Sequence, residues 1–239
     1  MLSLADQDVI ILCGGLGTRI RSIDDGKPKV MIDVCGRPFM DYVLFHLSKQ
    51  GFRRVILGIG YKAGMIEEFY KKVRFGLKID FVIEEDQLGT GGAIKNALSQ
   101  VESDVFFALN GDCYCPLNYE QFFLDYQKKQ SRASIAVKLL KNVKDFGVIK
   151  LDEQMKIQAF LEKQTAEEAF INTGVYCLEK KLYQENSPEG KFSIEYDVFP
   201  KLIGKSFYGF PVDVPFFDMG TPERLVMVTQ FLKEHPLED

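Results

Sequence analysis

The chain has 239 residues, of which 46% are hydrophobic, enough to bury one sizeable core and too few to suggest several independent domains. Thirty basic and thirty-four acidic residues give a net charge of −4, so nucleic acid is not expected as a partner. No segment approaches membrane-spanning length, and MLSLADQD at the amino terminus lacks the features of a secretory signal. We therefore expect no membrane partner and a cytoplasmic location.

The first half of the chain alternates between buried strands and amphipathic helices. Hydrophobic periodicity predicts strands at 8–12, 53–60, 77–84 and 104–110. It predicts the intervening helices at 38–51, 63–72, 91–101 and 118–129. Four strand–helix units in a row favour a parallel sheet with helices on both faces.

The second half has consecutive strands without helices between them. Strand patterns occur at 133–140, 146–152, 156–163, 171–179 and 207–220. Such a series favours antiparallel pairing, in an α+β second half lying over the first. A last helix is predicted from Thr221, where threonine can cap, Pro222 fits the first turn and Glu223 suits the positive helix end. The predicted fold class is therefore α/β, with a mixed, mostly parallel, Rossmann-like sheet flanked by helices and a smaller antiparallel subdomain.

The most informative segment, VIILCGGLGTRIRSIDDGKPKVM, places a glycine-rich turn directly after the first strand. It is not a dinucleotide fingerprint, because Ile20 stands where the third glycine belongs, and it lacks the Gly-Lys-Ser/Thr of a Walker loop. Backbone N–H groups of such a turn can cradle a triphosphate, with Arg19 and Lys29 supplying positive charge. A plain turn with two solvated charges is the alternative.

GGLGTR with a downstream Pro-Lys resembles the signature of the sugar-1-phosphate nucleotidyltransferases, and the resemblance extends over most of the chain. It implies one domain over 1–239, with a nucleotide-binding half at about 1–115 and a sugar-binding half at about 116–239. It implies that Arg19 and Lys29 are catalytic, on the leaving pyrophosphate and the transferring phosphate. The nucleotide-binding residues that it implies are Leu12, Gly14, Gly15, Gly17, Thr18, Gln87, Gly89 and Thr90.

The segment QLGTGGAI (87–94) opens a predicted helix with small residues. In the resembling family this segment contacts the base and ribose, which suits a flat base that needs a narrow slot with backbone polar groups. A glycine-rich helix entry without a ligand is the alternative for this segment taken alone.

Two aspartates follow predicted strands: Asp112 in LNGD and Asp218 in FFDMG. Mg²⁺ binds one or two carboxylates together with phosphate and water oxygens, and in the resembling family these positions hold the metal. The implied cofactor is Mg²⁺. Aspartates at such positions are also common as turn or cap residues, and the sequence alone does not bring the two together.

The resemblance also implies a sugar site. Glu162 would accept from sugar hydroxyls, Lys163 would contact the sugar phosphate, and Asn172 and the backbone of Gly147 would bind the sugar. A surface ion pair and a turn asparagine are the alternatives. The implied partners are a nucleoside triphosphate and a sugar 1-phosphate, and a homodimer is left open.

Within the family, Ser22, the spacing from Arg19 to Lys29, GRPF, QLGTGGAI and FDMGTPE look most like the guanylyltransferases that act on D-glycero-α-D-manno-heptose 1-phosphate. That resemblance implies GTP as the nucleotide and a role in bacterial surface-polysaccharide synthesis. Val30 and Asp33 depart from that group, in which prolines tend to stand there. UTP, dTTP, CTP and other sugars stay open, as do a non-catalytic sugar-nucleotide-binding regulator and a cytidylyltransferase acting on an alcohol phosphate.

Overall fold

The computed structural model describes residues 3–15, 26–71, 74–144, 146–161 and 165–237. In these ranges the strands are β1 (Asp8–Leu12), β2 (Asp33–Val34), β3 (Arg37–Pro38), β4 (Arg54–Ile59), β5 (Lys78–Ile83), β6 (Val105–Asn110), β7 (Cys113–Tyr114), β8 (Ala133–Val143), β9 (Val148–Leu151), β10 (Ile157–Leu161), β11 (Ala166–Glu179), β12 (Phe207–Pro211) and β13 (Phe217–Asp218). The α-helices are α1 (Phe39–Lys49), α2 (Ala63–Tyr70), α3 (Gly89–Ala97), α4 (Tyr119–Lys128), α5 (Lys180–Asn186), α6 (Phe199–Leu202) and α7 (Pro222–Glu234). Short 3-10 turns form at Leu4–Asp6 and Lys29–Met31, and a π-helical turn forms at Ile194–Val198.

One mixed sheet organises the molecule. Over the described ranges it has nine strands in the order β10-β9-β11-β6-β1-β4-β5, with β8 paired to β11 and β12 paired to β8. The strands β6, β1, β4 and β5 run parallel to one another, as four strand–helix units predict. The predicted fold class is confirmed.

The core lies on both faces of this sheet. Along β1, Val9 and Ile11 point into one apolar cluster and Ile10 into another, and all three are fully buried. Successive side chains of a strand alternate between faces, so a strand without polar residues at these positions must be covered by helices on both sides. This arrangement leaves the carboxyl ends of the parallel strands as the open edge.

The antiparallel pairing predicted for the second half is present, but that half does not lie over the first. Strand β11 pairs antiparallel with β6, so the second-half strands continue the same sheet. A register shift between Asn172 and Tyr176 divides β11: its first part pairs with β8 and β9, and its last part is held between β8 and β6. The two halves are therefore joined by main-chain hydrogen bonds.

Helix α7 begins as predicted, because the hydroxyl of Thr221 accepts a hydrogen bond from the Arg224 amide at 3.4 Å and Pro222 occupies the first turn. The strand predicted at 207–220 is instead two strands, β12 and β13, which pair with different partners. Pro211 ends β12 and Pro215 lies between the two; proline has no N–H for a ladder. No described helix has the length and apolar character needed to cross a membrane.

Candidate active site

A cavity of about 340 Å³ opens at the carboxyl ends of the parallel strands, where ligands of open α/β sheets bind. Four regions of the first half and one residue of the second half form its wall. The lining residues are Leu12, Cys13, Gly14, Gly15, Lys29, Val30, Glu84, Gln87, Gly89, Thr90, Ala93, Asn110, Asp112 and Lys191. The volume is sufficient for a nucleotide-sized part of a substrate.

The structure brings most of the predicted nucleotide site together on this wall. The lining includes Leu12, Gly14 and Gly15 of the loop after β1, and Gln87, Gly89 and Thr90 at the start of α3. Lys29 and Asp112 lie on the same wall. The predicted residues Gly17, Thr18 and Arg19 lie outside the described residues.

Lys29 is presented by the 3-10 turn Lys29–Met31, which is anchored by the buried side chains of Val30 and Met31. Its side chain is 11% exposed, and its ammonium group forms an ion pair with Asp112. A cation with so little contact with water needs an anionic partner. The predicted phosphate-binding lysine is thus held at the cavity wall by a predicted metal ligand.

The small residues at the start of α3 have a packing role as well as a place in the cavity. A Cβ on Gly91 would lie 2.4 Å from the ring of Phe192, so no larger residue fits there. The hydroxyl of Thr90 donates to Glu195 at 2.8 Å and accepts from the Ile194 amide at 3.0 Å. The segment before the π-helical turn is thereby fixed against the helix, which places Lys191 at the cavity.

Asp112 immediately precedes β7, and Asp218 lies in β13, the strand paired with β7. In the antiparallel pair of β7 and β13, Asp218 is opposite Cys113, and the Met219 amide donates to the Asp112 carbonyl at 2.9 Å. Burial and the charges of both carboxylates raise the pKa of the Cys113 thiol well above its ordinary value. The two predicted metal ligands therefore meet at one place, although Asp218 is not among the residues lining the cavity.

The donor set at this place suits Mg²⁺. The carboxylates of Asp112, just before β7, and Asp218, in β13, match the one or two that this ion takes from a protein, and phosphate and water oxygens would be its other ligands. Within the described ranges no group of three or more His, Cys, Asp or Glu side chains could hold a metal. The arrangement fits an ion shared with a substrate and does not resemble a closed structural metal site.

The described residues of the predicted sugar site form one unit beside the cavity. The Asn172 amide donates to the Gly147 carbonyl at 3.1 Å, and the Asn172 side chain donates to the Tyr176 hydroxyl at 2.9 Å. Gly174 packs against the side chain of Asn110, which lines the cavity. Glu162 and Lys163 lie outside the described residues.

Sequence reasoning missed three polar residues of the cavity, in addition to Cys13, Val30 and Ala93. Asn110 precedes the LNGD aspartate, and its buried Oδ1 has no hydrogen-bond partner in the described structure. Lys191 is exposed at the cavity and forms no ion pair in the described part of the chain. Glu84 directly follows β5, and no motif in the sequence distinguishes it from Glu85 or Asp86 as a site residue.

Glu84 is a half-buried carboxylate without a cationic partner among the described residues. Its Oε1 would lie 2.6 Å from a Cβ on Gly14, so it stands directly over the glycine loop. Its other oxygen accepts only a long hydrogen bond, 3.5 Å, from the Leu88 amide. Burial raises its pKa above the ordinary value, against the smaller opposing effect of that bond.

Both histidines lie away from the cavity. The His46 ring contacts the Leu117 carbonyl at 2.9 Å, and burial lowers its pKa. His235 stacks on Phe231 near the end of α7. The cavity wall therefore contains carboxylates, ammonium groups and amides, which suits a reaction that needs charge neutralisation and no imidazole base.

Comparison with known proteins agrees with this geometry. Residues 8–235 match the family model for nucleotidyl transferase. The chain is 36% identical to the D-glycero-alpha-D-manno-heptose 1-phosphate guanylyltransferase of Aneurinibacillus thermoaerophilus, over 90% of this chain and 94% of that protein. The identity to the enzyme of the same name from Campylobacter jejuni is also 36%, over 90% and 95%.

A solved structure supports the same relationship. HddC from Yersinia pseudotuberculosis complexed with GMP-PN superimposes with a TM-score of 0.83 at 37% identity, covering 95% of this chain and 99% of that chain. The fold and cavity define a nucleotidyl-transferring enzyme. The chain belongs to the nucleotidyl transferase family and is a sugar-1-phosphate nucleotidyltransferase.

Proposed function

We propose that the enzyme transfers GMP from GTP to D-glycero-α-D-manno-heptose 1-phosphate, releasing pyrophosphate and forming the GDP-sugar. Two relatives that bear this activity in their names align over 90% of the chain, and a structure that superimposes on it was obtained with GMP-PN. The observation that carries the choice of base is the Glu84 carboxylate in the cavity, which has no cationic partner in the described ranges.

A carboxylate next to a triphosphate site is unfavourable unless it meets hydrogen-bond donors. Guanine offers two adjacent donors, N1–H and the N2 amino group, which match the two oxygens of a carboxylate. Uracil and thymine offer one N–H between two carbonyl oxygens, which a carboxylate repels. Glu84 therefore favours guanine over either of these bases.

The reaction requires little covalent chemistry from the protein. A phosphate oxygen of the sugar 1-phosphate attacks the α-phosphorus of GTP, the bond to the β-phosphate oxygen breaks, and its electron pair leaves with pyrophosphate. The nucleophile is already ionised at neutral pH, so no general base is required. The protein has to align two anions that repel each other.

The described residues have separate roles in this scheme. Lys29 binds the transferring phosphate, and Asp112 and Asp218 would hold Mg²⁺. When bound, the ion would neutralise phosphate charge and orient the phosphate oxygens. Asn172 and the Gly147 backbone bind the sugar. From the family resemblance we retain Arg19 on the pyrophosphate, Gly17 and Thr18 on the nucleotide, Glu162 on the sugar hydroxyls and Lys163 on the sugar phosphate.

The reaction would take place in the cytoplasm, where the nucleoside triphosphate is supplied, and would provide a precursor for a surface polysaccharide. The single-domain assignment over 1–239 and a homodimer also stay proposals. Gel filtration with light scattering would determine the oligomeric state.

The test is a matrix of pyrophosphate-release assays with Mg²⁺, combining GTP, UTP, dTTP, CTP and ATP with a panel of sugar 1-phosphates that includes the heptose. The highest kcat/KM is expected for GTP with the heptose phosphate. A higher value for another pair would overturn the substrate assignment. Absence of product with every pair, by a folded protein that binds GDP-sugars, would favour the regulatory relative.

A further inference from the structure

Arg224 lies in the first turn of α7, six residues after Asp218. Its Nη1 donates to both oxygens of the Asp218 carboxylate, at 2.9 and 2.8 Å. The Gly220 amide donates to Oδ1 of the same carboxylate at 2.8 Å. These three charge-assisted bonds hold the carboxylate in one orientation.

The guanidinium of Arg224 also contacts the opposite side of the site. Its central carbon lies 4.7 Å from the centre of the Phe146 ring, and Phe146 packs edge-on against Phe216 at 6.1 Å. Phe146 directly precedes Gly147, whose carbonyl accepts the Asn172 amide. Arg224 therefore connects the carboxylate of Asp218 with the start of the predicted sugar site.

The geometry leaves Asp218 able to bind a further cation. Oδ1 accepts from both Arg224 and Gly220, whereas Oδ2 accepts only from Arg224 among the described residues, so Oδ2 keeps a lone pair that is directed away from Arg224. The side chain of Asp218 is 15% exposed and that of Arg224 28%, so water competes little with the pair. An outer partner that orients a ligand before the metal arrives lowers the entropy cost of metal binding.

We propose that Arg224 is a positioning residue, which fixes Asp218 as a metal ligand and aligns it with the loop at Phe146 and Gly147. The inference rests on the proposed function, because it requires Asp218 to bind the metal. Asp112 forms an ion pair with Lys29, so each of the two carboxylates has its own cation.

A competing explanation makes an opposite prediction. If Arg224 only neutralises Asp218, it opposes a divalent ion by charge repulsion, and its removal should tighten metal binding. If it positions Asp218, its removal frees the carboxylate to rotate and metal binding weakens. The direction of the change in metal affinity therefore separates the two roles.

The experiment measures Mn²⁺ affinity by electron paramagnetic resonance, in the presence of a non-hydrolysable GTP analogue. Arg224→Met, which keeps the length of the stem, is expected to weaken Mn²⁺ binding by about 10- to 100-fold. Arg224→Lys keeps the charge without the planar group that stacks on Phe146, and is expected to fall between Arg224→Met and the wild type. Unchanged or tighter binding in Arg224→Met would overturn the proposal.

The matched control is Arg132→Met, because Arg132 also pairs with a carboxylate through two bonds, to Glu179 at 2.6 and 2.9 Å, and neither residue lines the cavity. It should leave Mn²⁺ affinity unchanged. If Arg224→Met does not fold, Phe146→Leu replaces it, with a smaller loss expected. Retained Mn²⁺ binding in Asp218→Asn would refute the metal assignment itself, whereas lost binding there with retained binding in Arg224→Met would refute only the positioning role.

Discussion

Two carboxylates lie towards opposite ends of strand β5, and they have different surroundings. Asp80 accepts from Nε of Arg54 at 2.7 Å and pairs with Lys78 at 3.1 Å. Although burial acts to raise its pKa, the hydrogen bonds from these two cations hold the pKa of Asp80 below its ordinary value. Glu84, just beyond the other end, has no such cation among the residues that the structure describes, and burial raises its pKa.

The same contrast holds for the neighbouring strands. At the start of β1, Asp8 accepts from Arg54 at 3.0 Å and from the Glu102 amide at 2.6 Å. At the end of β6, Oδ1 of Asn110 is buried without a partner. Polar groups at the amino ends are satisfied by the protein, which stabilises the fold. At the carboxyl ends Asp112 is paired with Lys29, whereas Glu84 and Oδ1 of Asn110 have no such partner in the described part of the chain and are left for a substrate, at some cost in stability.

The largest effect should come from Lys29→Met, which removes a positive charge from the cavity at the carboxyl ends of the parallel strands. We expect kcat to fall by about 10²- to 10³-fold, because charge that develops in the transition state is no longer neutralised. The melting temperature should change little. Pyrophosphate release under saturating substrates measures this, with the exposed Lys27→Met as the neighbouring control. Near-normal kcat would remove Lys29 from the mechanism.

Arg54→Met, at the amino ends of the strands, should lower stability and leave kcat unchanged. It leaves Asp8 and Asp80 without their shared cation, and breaking such a pair costs about 3 kcal/mol of unfolding free energy. The kcat of the folded fraction should be unchanged. Urea denaturation and active-site titration measure the two quantities. A large loss of kcat without loss of stability would contradict the view that the charges at the amino ends of the strands serve stability and not catalysis.

Glu84→Gln should change the choice of base. An amide can accept from N3–H of uracil and donate to the adjacent carbonyl, whereas it loses one of the two acceptors that guanine needs. We expect the ratio of kcat/KM for GTP to that for UTP to fall by about 10- to 100-fold. The exposed neighbour supplies the control, Glu85→Gln, which should keep the wild-type ratio. An unaltered ratio in both variants would exclude Glu84 from base selection.

The smallest expected effect is a pH-dependent gain in stability from the same substitution. The pKa of Glu84 is raised in the folded state, so its ionisation destabilises the fold progressively as pH rises above the ordinary value of 4.5. Glu84→Gln should therefore melt about 2 °C higher than the wild type at neutral pH, and the difference should vanish in more acidic buffer. Thermal denaturation at several pH values measures it. A difference in melting temperature that increases as the pH is lowered would contradict this prediction.

Local pattern was sufficient to predict the main elements of the sheet. The runs that became β1, β4 and β6 are apolar at nearly every position, β5 is apolar except at Lys78 and Asp80, and the cap at Thr221 is a short-range signal. Helix α5, with seven residues, and the π-helical turn were not predicted, because segments this short carry little periodicity. The division of the predicted strand at 207–220 depended on partners far away in the chain.

The residues of the candidate site also differ in whether local pattern or distant partners reveal them. The motifs and the family resemblance that they carry predicted Lys29, Asp112 and Asp218, since glycine loops and strand-end aspartates are local features. It did not identify Glu84 or Arg224, whose roles depend on which groups face them across the cleft.

The sequence by itself determined the class of enzyme, the alternation of strands and helices and the residue types that meet phosphate and metal, because these depend on nearest-neighbour spacing. Only the tertiary structure decided which charges are paired. A charge is neutralised by atoms within a few ångströms in space: Arg54, which pairs with Asp80, is 26 residues away from it, and Asp112, which pairs with Lys29, is 83 residues away from it.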